Sequence, residues 1–203
     1  MNKYMEEYTS QVETQLLTDG SKLNSKKVKS ATLDLIETLI LAFVLFFGIN
    51  YVTQRVRVEN ISMLPTLKPG NLLVVNKLAY RNNNYSRGDI IVFHFQGNAE
   101  EDYIKRVIGI PGDHVVISNG ALKVNGIILN EPYIMEDSRR VNTWDVPEGK
   151  LFVLGDNRND SSDSSSWGFV DMHWVVGQAL LLYWPFDQFR LVTVPDILES
   201  STQ

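Results

Sequence analysis

Ser62 and Lys105 are the residues whose types could together cut a peptide bond. A serine hydroxyl is a poor nucleophile until a base takes its proton. A lysine amine can be that base only when neutral, and burial among apolar groups disfavours its charged form. Lys105 stands among Tyr103, Ile104, Val107 and Ile108, a setting able to do this. Arg106 is adjacent, but a strand sends alternate side chains to opposite faces, so its charge should point away. Each residue alone has a plainer reading. Ser62 in front of Met63-Leu64-Pro65 fits a turn serine, and a strand lysine commonly snorkels to the surface.

Short strands must position this pair. Leu72 to Leu78, Ile90 to Phe95, Tyr103 to Ile110 and Val115 to Ile117 are apolar runs bounded by turn residues. Asn119-Gly120 separates Val115-Val116-Ile117 from Leu122-Lys123-Val124, a strong hairpin signal, and Asn125-Gly126 turns the chain again into Ile127-Ile128-Leu129. Leu151 to Leu154 and Val175 to Tyr183 complete the set, a spacing that suggests an antiparallel sandwich or barrel. Residues 159–166 have the composition of a linker. The flanking Gly155-Asp156-Asn157-Arg158 and Trp167-Gly168 argue for an ordered, turn-rich loop.

Ahead of the strands lies a different kind of segment. Leu39 to Ile49 is continuously apolar, and Leu33 to Val52 is its outer limit, close to the roughly 20 residues a spanning helix needs. Asp34 and Glu37 fall in its first turns, where they can reach the interface. Lys22, Lys26, Lys27 and Lys29 precede it and favour a cytoplasmic N-terminus, although Arg55 and Arg57 beyond it reduce the asymmetry. A buried core helix and a cleavable signal peptide are the alternatives. The second would start late and lacks a small-x-small site after Phe46-Phe47. The expected organisation is a polar cytoplasmic arm over 1–32, an uncleaved transmembrane anchor over 33–53, a β-rich catalytic domain over 54–190 and a tail over 191–203. Residues near 114–150 form a smaller appended lobe in this reading.

Composition narrows the chemistry. The 203-residue chain has no cysteine, which excludes disulfides, a cysteine nucleophile and cysteine-ligated zinc. Its net charge of −5 gives no sign of nucleic-acid binding.

Three segments stand together in order behind the apolar stretch. They are Ser62-Met63-Leu64-Pro65-Thr66-Leu67, Asp102 to Asp113 around Tyr103-Ile104-Lys105-Arg106-Val107, and Gly155 to Ser164 followed by Trp167-Gly168-Phe169-Val170. From about Val58 to Val170 the chain resembles the type I signal peptidase family. The resemblance implies a mainly β fold, an antiparallel β-sheet catalytic domain with one N-terminal transmembrane helix. It implies a membrane-bound, monomeric serine endopeptidase that removes signal peptides from preproteins after small residues at the first and third positions before the cut, with no cofactor or metal. Ser62 would attack the scissile carbonyl while Lys105 acts as base and then as acid. Ser161 aligns with a serine that orients the lysine. Asp156, Asn157, Arg158 and Asp163 belong to the same supporting loop.

Two departures from the family pattern stand out. Asn60 occupies the position where some members place a hydroxyl in the oxyanion hole; its amide could donate there instead, or the second donor is absent. Ser165 stands where many members have arginine, which removes an expected ion pair to Asp163. Val58, Ile104 and Met63 align with substrate-contacting residues. The nucleophile follows Val52 by ten residues, at most roughly 35 Å of chain, so the site should lie close to the membrane surface.

Rival chemistries find less support. His94, His114 and His173 lie outside any Gly-x-Ser-x-Gly elbow and lack ligand spacing for a metal. A self-cleaving repressor with Ser–Lys chemistry would need a helix-turn-helix, and the arm has no such pattern. A membrane-anchored binding module on the same fold would be expected to lose the nucleophile or the base.

Overall fold

The computed structural model describes residues 2–96 and 98–194, so the expected tail lies outside the described residues from 195 onward. Helix α1 (Asn2–Val52) takes in both the polar arm and the apolar stretch. Within it, Leu33–Val52 has a mean hydropathy of 2.1, and none of it is buried in the protein, so it is not a core helix.

The body begins at Tyr51. Its strands are β1 (Thr53–Arg57), β2 (Leu72–Asn76), β3 (Ile90–Phe95), β4 (Asn98–Gly109), β5 (His114–Ser118), β6 (Ala121–Val124), β7 (Ile127–Ile128), β8 (Asn142–Asp145) and β9 (Lys150–Leu154). A short helix α2 (Ser164–Trp167) precedes β10 (Val170–Asp171), β11 (Val175–Trp184) and β12 (Arg190–Leu191). All pairings are antiparallel. The larger sheet runs β1-β2-β11-β3-β4-β9-β10 with β12 beside β11; the smaller runs β7-β6-β5-β8.

The two Asn-Gly turns set the small sheet. Asn119 and Gly120 have φ of 49° and 82°, Asn125 and Gly126 of 53° and 83°, values these residue types adopt readily. Val115, Ile117, Leu122 and Val124 consequently face one side and pack with Ile108, Phe152 and Leu154 of the large sheet. The expected lobe is therefore a second sheet sharing its core with the first. On the other flank of the large sheet, Val58, Met63, Leu67, Leu73, Val75 and Ile104 form a second cluster. Each fully buried side chain of this size contributes about 1.5–3 kcal/mol relative to exposure.

β1 stands at the end of the sheet order, three strands away from β4, yet Gln54 donates to Asp102 across 3.4 Å. The sheet is thus strongly curled, as accumulated strand twist allows, and β1 and the first half of β4 face each other.

Candidate active site

The curl leaves an open cleft of about 340 Å³, lined by the run Gln54–Asn60, by Ser62 and Met63, and by Glu100 and Asp102–Lys105. Ser62 lies in the β1–β2 connection. Two backbone bonds pin the base of that loop, Val58 N–H to Asn71 at 2.9 Å and Gly70 N–H to Val58 at 2.8 Å. Met63 and Leu67 are buried beneath it, which leaves Ser62 half-buried at the cleft wall.

Lys105 arrives from β4. Its amine donates to Ser62 Oγ at 2.9 Å and to the Ile104 carbonyl at 3.0 Å, and lies 5.2 Å from the Tyr103 ring centroid. The residue is 4% exposed. Desolvation pulls its pKa from 10.5 down to about 8, against the opposing pull of Asp163 and Asp156. The amine therefore has a hydroxyl partner and no direct ion pair, which is what a base needs.

The loop after β9 backs the pair. Asn157 donates its N–H to the Ser62 carbonyl at 3.0 Å and its side-chain amide to the Ile61 carbonyl at 3.2 Å. Gly155 passes so close that a Cβ there would overlap the Ser161 side chain and the Ser62 carbonyl. Asp156 lies behind, buried, with Arg106 donating from Nε and Nη2 at 2.8 and 2.7 Å. Arg158 ties the loop to Glu131 through two bonds of 2.7 and 2.5 Å.

All the expected residues converge here, in two layers. Val58, Asn60, Ser62, Met63, Ile104 and Lys105 line the cleft. Asp156, Arg158, Ser161 and Asp163 are buried in the loop behind it. Asn60 is exposed at the cleft wall. Ser161 Oγ is buried and finds no hydrogen-bond partner among the described residues, so the described contacts of Lys105 do not include it. With serine at 165, the cation beside Asp163 is Arg140, between β7 and β8, at 3.1 Å. Sequence reading missed Arg140, Glu131 and Tyr133, which come from a stretch of irregular structure with no motif.

The histidines are not among the residues that line the cleft: His94 bonds to the cleft-wall Asp102 at 2.8 Å, and His114 to Asp145 at 2.6 Å. Among the described residues no cluster of three or more histidine or acidic side chains is placed to hold a metal.

The site is thus a hydroxyl held by a buried amine at the wall of an open cleft on a curled antiparallel sheet. Comparison with known proteins places the chain in a family. A family model described as signal peptidase, peptidase S26, matches residues 32–184. Signal peptidase I of Bacillus caldolyticus is 46% identical over 160 residues, covering 71% of this chain and 84% of its own. Signal peptidase IB of Staphylococcus aureus is 34% identical over 183 residues, covering 80% and 95% respectively. A crystal structure of a signal peptidase I from Enterococcus faecalis V583 matches at 34% identity over 47% of this chain and 97% of that one, with a TM-score of 0.43. The chain belongs to the signal peptidase family, a family of serine peptidases.

Proposed function

We propose that the chain removes signal peptides from exported preproteins, with Ser62 as nucleophile and Lys105 as general base. The contact of 2.9 Å between a nearly fully buried lysine amine and Ser62 Oγ carries the reading. The neutral amine takes the hydroxyl proton as Oγ bonds to the scissile carbonyl carbon. The resulting ammonium gives that proton to the leaving amine, and water hydrolyses the acyl-enzyme by the same relay. With a pKa of about 8, about a tenth of the molecules hold the neutral amine at pH 7. The Ser62 N–H and the Asn60 amide are the donors assigned to the oxyanion.

The substrate enters as an extended strand. Among the described residues, Gln54–Arg57 of β1 pair with β2, and β4 from 98 to 105 pairs with β3, which leaves the cleft side of each strand open to an added extended chain. Val58, Met63 and Ile104 supply shallow apolar walls there, a fit for small residues before the cut. Every group in the scheme comes from one chain, so a monomer suffices.

The Leu33–Val52 helix serves as the anchor, with the N-terminus cytoplasmic and the catalytic body on the opposite side. Alkaline carbonate washing should leave the protein in the membrane pellet; release into the supernatant would refute the anchor.

Cleavage of a labelled preprotein in detergent by wild type, Ser62→Ala and Lys105→Met tests the chemistry. Met keeps much of the stem of Lys105 and deletes the amine. The reading expects wild type to cut after a small-x-small site and both variants to be folded and inactive. Variants that cut like wild type would sink it.

A further inference from the structure

Arg140 lies between the three motif segments and belongs to none of them, yet it reaches into the loop behind Ser62. Asp163 is 1% exposed. Its carboxylate accepts from Gly155 N–H at 3.1 Å, Ser165 N–H at 3.2 Å and Ser165 Oγ at 2.5 Å, all neutral donors. The cation that pairs with it is Arg140, whose Nη1 stands 3.1 Å from Oδ1 and also contacts Ser165 Oγ. From the other arm of the same guanidinium, Nη2 donates to the Ser161 carbonyl at 3.1 Å. Ser161 is the residue whose side chain crowds Gly155 beside the Ser62 carbonyl.

We propose that Arg140 is a positioning residue for the Ser62–Lys105 pair, neutralising Asp163 and fixing Ser161 so that the carboxylate does not hold the Lys105 amine in its charged form. This rests on Lys105 being the base. The segment that carries Arg140 is well held for the task. Arg139 N–H donates to Asn159 Oδ1 at 3.0 Å, the Asn159 amide donates to the Asp137 carbonyl at 3.1 Å, and Arg140 N–H donates to Ser138 Oγ at 3.3 Å. The connection between β7 and β8 is thereby tied to the loop behind Ser62.

Charge placement supports the role. Asp163 is the foremost group opposing the desolvation of Lys105, followed by Asp156. Asp156, the smaller of the two, already has Arg106 as a bidentate partner. Arg55, Arg57, Glu59, Glu100 and Asp102 also face the cleft, along the edges of β1 and β4 and the start of the nucleophile loop. Without Arg140, the Asp163 carboxylate would face the Lys105 ammonium with no cation beside it, in a medium of low dielectric where such a pull is strong.

The test is the pH dependence of kcat for preprotein cleavage in detergent by the full chain. Arg140→Gln should move the alkaline rise upward by about half to one pH unit while changing KM little. Arg140→Lys should keep the wild-type midpoint. Adding Ser165→Arg to Arg140→Gln should bring the midpoint back, because position 165 already touches both partners. Asp163→Asn with Arg140 intact should move the midpoint down, since an unpaired guanidinium then faces the amine; this variant carries the test if Arg140→Gln does not fold. Equal loss of kcat at all pH values with an unmoved midpoint would make Arg140 merely structural and overturn the proposal. Lys105→Met separates the two layers of inference. If it cuts like wild type, the base assignment itself fails. If it is inactive while the Arg140→Gln midpoint stays put, only the role of Arg140 fails.

Discussion

Lys105 and Arg106 are neighbours on β4, both cationic by type and both nearly fully buried, at 4% and 1% exposure. Their surroundings differ in almost every respect. Arg106 has a bidentate carboxylate in Asp156, the Gly88 carbonyl at 2.8 Å and the face of Tyr133 at 3.9 Å from its ring centroid. Lys105 on the other side of the strand has a hydroxyl, one carbonyl and the ring of Tyr103. A buried charge that is fully paired stays charged and becomes part of the scaffold. A buried amine that is left short of partners becomes titratable near neutrality and available for proton transfer. Both side chains are buried, and the partner set decides which cation is held as a charged pair and which is not.

Exchanging the two behaviours should break the comparison most severely. Lys105→Arg places an always-charged group against Ser62. Cleavage should fall at least about a thousand-fold, as in Lys105→Met. Substantial activity in Lys105→Arg would show that neutrality of residue 105 is not required. On the other side, Asp156→Ala leaves the Arg106 guanidinium buried and unpaired, at a cost of about 3–5 kcal/mol measured by urea unfolding in detergent. A loss within 1 kcal/mol would mean that the pair is not a scaffold element.

The contrast sharpens with pH. Lys105 has its pKa lowered from 10.5 to about 8, so its active neutral form gains as pH rises. Turnover should increase about tenfold between pH 7 and 9 and then level off. Because the folded pKa lies below the unfolded one, the folded state binds fewer protons between pH 8 and 10.5. The contribution of Lys105 to stability therefore rises across that window and is least favourable below it. A flat rate profile would contradict the assignment.

The smallest effect is expected at Ser161. Its hydroxyl is buried and finds no hydrogen-bond partner among the described residues, so Ser161→Ala should alter stability by less than about 1 kcal/mol and slow turnover far less than Lys105→Ala does. Equal losses in the two variants would give Ser161 a share in the chemistry itself.

Which of these features could be read from the chain depends on how local their causes are. The central strands of the large sheet and the two Asn-Gly hairpins are encoded by apolar runs and turn residues within a few positions, and they appear where expected. β1 was not expected because Thr53-Gln54-Arg55-Val56-Arg57 offers a single aliphatic residue; it is an edge strand fixed by its pairing with β2. β8 reads Asn-Thr-Trp-Asp, and only Trp144 packs into the core. At the site, Ser62 and Lys105 were legible from their motifs. That Arg106 would turn away from Lys105 was also legible, since alternation is local. Its destination was not, because Asp156 lies fifty residues further on. Arg140 shows the same limit. The missing arginine at 165 was visible in the sequence, and its substitute depends on a fold that brings position 140 against position 163.

Gly155 determines a dimension of the catalytic centre by what it lacks. The nucleophile loop and the loop behind it meet across a gap narrower than a single methyl group, with the Ser62 carbonyl on one side and the Ser161 side chain on the other. Gly155→Ala would therefore act as a wedge. It would displace the Ser62 backbone or the Ser161 side chain, and a shift of the first would disturb the 2.9 Å contact between Ser62 Oγ and the Lys105 amine. Seen this way, the spacing between hydroxyl and amine is a clearance held open by one absent side chain.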